Sequence, residues 1–176
     1  MTFKNLMATV CLLFGISLFA QSQTSLDDMV KDWERSKAYT KEYLDAMSEA
    51  DYALKPTPEM RSFADQMLHI TDANFGFMSA ITGVASPVAF GEAEKAKDKS
   101  KAAVTKMVMD SYDFVIKNLP NITAAQMNEK MKFFDRFEIT KASALAKMLE
   151  HQAHHRGQTT VYLRLAKVTP PQEKLF

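Results

Sequence analysis

Apolar residues along this chain recur mostly at steps of three and four, the spacing of one helix face. Ser25 is an N-cap type followed by the acids Asp27 and Asp28, and Leu26, Met29, Val30, Trp33, Leu44 and Met47 predict a first helix running to about Asp51. Lys55-Pro56-Thr57-Pro58-Glu59 interrupts the pattern. Thr57 can cap, and Pro58 can open, a second helix on which Met60, Phe63, Met67, Ile70, Asn74, Phe77 and Ile81 keep one stripe until Gly83. Ser100 caps a third, with Val104, Met107, Val108, Val115 and Leu119 ahead of Pro120. Residues 84–99 hold Pro87, Gly91 and a lysine-rich stretch, too long for a hairpin loop, and predict a crossover. From 121 to 139 the helical period is lost, although Met131 to Phe137 alternates weakly and suggests a short extended arm. Thr140 caps the fourth helix, which reaches about Ala166 before Pro170-Pro171. The predicted fold is an all-α four-helix bundle with long connections between helices two and three and between three and four.

The apolar run from Leu6 to Ala20 stands outside this pattern. Lys4 precedes it and polar Gln21 to Ser25 follow, the layout of a secretory signal peptide. Residues 1–20 are therefore expected to be removed, after Ala20 or, as second choice, after Ser22, leaving residues 21–176 as one domain. The run is shorter than the ~20 residues of a membrane span and no basic cluster follows it. The expected location is periplasmic or secreted, with no membrane attachment after cleavage. Cys11, the single cysteine, goes with the signal. A cysteine-free mature chain excludes disulfides, thiol nucleophiles and thiolate ligands, so a transition-metal site must use imidazole or carboxylate. Lys plus Arg number 22 against 21 Asp plus Glu, and that balance gives no field to gather nucleic acid. The 12 Met and 12 Phe point to a deformable aromatic core.

Three of the four histidines fall within Glu150-His151-Gln152-Ala153-His154-His155-Arg156-Gly157-Gln158. At about 100° per residue His151 and His155 share one face, one turn apart, and lie close to the seam of Leu145, Met148 and Tyr162. Two imidazoles aimed into an apolar interior need a partner for their nitrogens, and a metal ion supplies one; a bare i, i+4 pair is more commonly a set of half-exposed polar residues. His154 lies to the other side of His151. His69 sits among Ser62, Asp65, Asp72, Ala73 and Gly76, which by spacing alone reads as a solvent face. Asp72 and Glu150 are the only acids near enough to the histidines in sequence to serve as a base. Arg156, Gln158 and Arg164 read as solvated or packing residues, Trp33 and Tyr162 as core.

The run from His151 through Arg156-Gly157-Gln158 and Tyr162-Leu163-Arg164-Leu165 to Pro170-Pro171 resembles the closing helix of the DinB family, and Pro58 to Phe77, with Met67-Leu68-His69-Ile70 at its centre, resembles that family's second helix. The likeness covers essentially all of the mature chain, including the Trp33 region, Lys55-Pro56-Thr57 and Lys101-Ala102-Ala103. Many relatives carry a glycine where this chain has Ala166-Lys167-Val168, and most lack an export signal. The resemblance implies an up-down-down-up bundle holding one divalent ion on three histidines, which correspond to His69, His151 and His155, with His154 outside the set. Zinc is the default ion and nickel the alternative. Three imidazoles leave a coordination position open, the arrangement of a catalytic site. The expected activity is hydrolysis by metal-activated water on a small-molecule substrate; the alternatives are the thiol-dependent transfer found in some relatives and a non-catalytic metal- or ligand-binding bundle. No catalytic side chain is assigned, and a second copy of the chain is the expected protein partner.

Overall fold

The computed structural model describes residues 26–133 and 135–176, so the expected export signal lies outside the described residues. Four long helices make the frame: α1 over residues 26–46, α2 (Phe63–Thr82), α3 (Lys101–Asn118) and α5 (Lys141–Leu165), with a one-turn helix α4 (Ala124–Met127) and a hairpin of β1 (Lys130–Phe133) and β2 (Phe137–Thr140) between α3 and α5.

Side-chain pairs fix the direction of each helix. The start of α3 lies at the end of α1, where Lys101 Nζ donates to the carbonyls of Asp45 and Met47, and further along Tyr112 meets Thr40 and Trp33, so these helices run antiparallel. Between α2 and α3 the order is the same on both, with Asn74 on Ser111 and Phe75 on Phe114. Between α2 and α5 it is reversed, with Phe63 on Tyr162 and His69 on His155 and His151. Ser36 meets Gln152 and Tyr43 meets Thr160, so α1 and α5 are parallel. The path is up-down-down-up, as the family resemblance implies. Among the described residues no helix is long and apolar enough to cross a membrane.

Trp33, Phe63, Met67, Leu68, Val108, Tyr112, Met148 and Tyr162 are buried at the centre, which confirms Trp33 and Tyr162 as core. A polar seam crosses it where α1, α3 and α5 meet. Tyr112 Oη donates to Gln152 Oε1 (2.9 Å), Arg156 Nη1 donates to the same oxygen (2.7 Å), and the guanidinium lies 4.5 Å from the centre of the Tyr39 ring. Arg156 is only 8% exposed, a packing cation satisfied by oxygens and a π face and with no carboxylate against it in these contacts.

The caps at Ser100 and Thr140 stand where the sequence puts them, and Gly83 (φ 78°) ends α2 by donating to the Ser79 carbonyl. Elsewhere the boundaries shift. The second helix starts at Phe63 and not near Pro58, because Ser62 and Asp65 form a reciprocal capping box that satisfies the first-turn N–H groups better than Thr57 could. The first helix stops at 46, and Glu49–Asp51 is a separate 3-10 turn. The expected arm is a two-stranded hairpin, with Met131 opposite Ile139 and Phe133 opposite Phe137, preceded by the unforeseen α4, which Thr123 and Gln126 close with a second capping box. Four residues are too few to show a helical period.

Candidate metal centre

Antiparallel packing of α2 on α5 brings His69 against the two histidines of the last helix. Ring centroids lie 5.1 Å apart for His69 and His151, 4.5 Å for His69 and His155, and 4.3 Å for His151 and His155. One nitrogen from each ring falls within 4.8 Å of the others, and two zinc–nitrogen bonds of ~2.0–2.1 Å span at most about 4.2 Å, so small ring rotations bring all three onto one ion. His154 is exposed, pairs with Gln158 across 2.9 Å, and turns its ring edge to His155.

The residues present fit an ion. The Nδ1 atoms of His151 and His155 are buried and have no hydrogen-bond partner among the described residues, a costly state for an imidazole nitrogen unless a further group satisfies it. Burial, then the neighbouring histidines and Arg61, pushes the His151 imidazole down to about 4 and that of His155 to about 3. Both are neutral at physiological pH, as ligands must be.

His69 is oriented by a residue without any signal in the local sequence. Its Nδ1 lies 2.5 Å from Glu94 Oε1, and Arg61 Nε donates to Glu94 Oε2 at 2.8 Å. Burial would raise the Glu94 carboxyl, but the hydrogen bonds from Arg61 and His69 outweigh it and hold the group below the usual carboxylate range. A carboxylate on Nδ1 fixes the tautomer and leaves Nε2 as the ligand atom. Glu94 belongs to the crossover loop, which is stapled to α2 by Asp72. That carboxylate is 4% exposed and accepts the backbone N–H groups of Gly91 (3.1 Å) and Ala93 (3.0 Å) on one oxygen and of Glu94 (3.0 Å) on the other. Asp72 is therefore a loop clamp and Glu150 is exposed on the outer face of α5; neither is placed as a base. The stripe of Asp72, Ala73 and Gly76 faces this loop and a cavity of about 270 Å³, lined also by His69, His151, Phe77, Phe90 and Glu94, and does not face open solvent.

The DinB family model matches residues 22–175. The chain is 25% identical over 152 residues to the uncharacterized protein YrdA of Bacillus subtilis strain 168, covering 84% of this chain and 86% of that one. Among solved structures, a DinB-like protein from Bacillus cereus ATCC 10987 shares the fold at 21% identity and a TM-score of 0.67, over 84% of this chain and 97% of that one. YfiT from Bacillus subtilis, described as a probable metal-dependent hydrolase with an unusual four-helix bundle topology, matches at 16% identity and a TM-score of 0.64, over 81% and 87%.

Proposed function

Because the chain belongs to the DinB family, we propose that it is a divalent-metal-dependent hydrolase whose ion, zinc before nickel, is held by His69, His151 and His155. The observation that carries this reading is the convergence of three half-buried imidazoles, two of them with a buried, orphaned Nδ1, beside a cavity that His69 and His151 line. A structural zinc site would be closed by a fourth protein ligand, and none converges among the described residues. When bound, the ion supplies Lewis acidity, which activates water and polarises a carbonyl. The chain's own groups do the rest. Glu94 holds His69 in one tautomer, Arg61 and Asp72 hold Glu94, and Phe77 and Phe90 restrict water at the cavity. The similarity to YfiT supports hydrolysis, as does the Lys4 to Ala20 segment, from which we place the mature protein outside the cytoplasm, where small thiols are scarce.

Metal analysis of untagged protein should find one divalent ion per chain, lost in His69→Ala, His151→Ala and His155→Ala and retained in His154→Ala. Glu94→Gln should keep the ion but weaken it about 10- to 100-fold in competition with a chelating dye. A screen of ester, amide and lactone substrates should show turnover without added thiol, rising with pH. Turnover only with thiol present would replace hydrolysis by thiol transfer, and equal metal loss in all four histidine variants would remove the ligand assignment.

A further inference from the structure

Beside the three histidines lies a second cavity, of about 360 Å³, walled by Phe77, Phe133, Phe137 and Ile139 with Lys147 at its rim. Phe77 is common to both cavities, its ring 4.3 Å from that of Phe133 and 6.2 Å from that of His151. The hairpin supplies three of the walls and the start of α5 supplies the cation. Lys147 stands four residues before His151, so ammonium and imidazole rise from one face of one helix, a turn apart. Among the described residues Lys147 has no carboxylate partner, in contrast to Lys130 and Lys141 nearby, which pair with Glu138 and Glu129. Phe137 is 53% exposed, an aromatic surface that gains by being covered.

We propose that this cavity is the acyl pocket of the metal centre and that the substrate is an ester or amide with an aryl or medium-length acyl group ending in a carboxylate. The apolar part lies against Phe77, Phe133 and Phe137, the far carboxylate meets Lys147, and the scissile carbonyl reaches the histidines past Phe77. The volume suits a phenyl ring with a few methylenes, since a cavity of roughly 150 Å³ already takes benzene. Hydrolysis adds water across the acyl bond, its oxygen going to the carbonyl carbon and its protons to the released alcohol or amine and the new acid. The inference rests on the hydrolase reading for the carbonyl's position, but the pocket's ligand class is tested without the ion.

Chelator-treated, folded protein is titrated with phenylbutyrate and with the neutral phenylbutanol, by calorimetry and by backbone amide NMR. Phenylbutyrate should bind more tightly, with shifts centred on residues 130–140 and Phe77. Phe137→Ala should weaken both ligands about tenfold. Lys147→Gln should weaken phenylbutyrate about three- to fivefold and leave phenylbutanol unchanged. Absence of saturable binding, shifts centred elsewhere, or the same preference for the carboxylate in Lys147→Gln as in the parent would overturn the pocket. Metal titration of the same samples separates the two ideas. An ion bound without either ligand refutes the pocket alone, whereas ligands bound as expected with no ion refute the hydrolase reading and the substrate role that depends on it.

Discussion

His151 and His155 keep their rings neutral because the folded chain takes them out of water and sets them beside each other. Their ordinary value of 6.5 falls to about 4 and about 3, so between those limits the unfolded chain binds more protons than the native one. Stability from these groups is present in full above about pH 6.5 and is lost as pH falls towards 4 and 3. The denaturant midpoint of metal-free protein should therefore drop between pH 7 and pH 4, and His155→Gln should show a shallower decline; identical slopes would mean that other groups govern acid unfolding. This pair was legible in the sequence, since spacing of four on a helix needs no tertiary information. His69 was legible only through the family resemblance, because its polar and small neighbours imitate a solvent face while lining a cavity and holding a loop. Glu94 lies 25 residues from His69 in a segment without period, and only the loop's return over α2 brings them together.

At the scale of elements, helix ends carry most of what the sequence revealed and most of what it misplaced. Ser100 and Thr140 were recognisable as caps, whereas the choice between Thr57 and Ser62 turns on the Asp65 side chain closing the box. The end of α5 has a strain that composition hides. Lys167 adopts φ 61°, with its N–H on the Arg164 carbonyl and the Val168 N–H on the Leu163 carbonyl, the double closure of a Schellman motif whose left-handed position favours glycine. A non-glycine residue there costs roughly 1–2 kcal/mol, partly offset by the greater freedom glycine adds to the unfolded chain. Lys167→Gly should thus stabilise by about 0.5 kcal/mol and raise the melting temperature by roughly 2 °C, read in paired thermal scans. A lower melting temperature would show that the lysine side chain contributes more than its backbone costs.

For the whole molecule, the bundle was legible from periodicity, but its direction of travel was not, since parallel α2 and α3 follow from tertiary pairs such as Asn74 with Ser111. The export proposal rests on the Lys4 to Ala20 segment of the sequence. Mass spectrometry of protein from its native source should find a chain starting near Gln21 in the exported fraction, and an intact Met1 in the soluble cytoplasm would refute export. The parallel pair also demands a return strand along the length of α2, and residues 84–99 make it while passing over His69, pinned there by Asp72. The piece of chain that completes the topology is thus the piece that orients a ligand. Ordinary surface loops drift in length through evolution because closure entropy changes slowly with size. Here the segment from Gly91 to Glu94 lacks that latitude, because three of its backbone N–H groups are bound to the register of a neighbouring helix, as a strand is bound to its sheet.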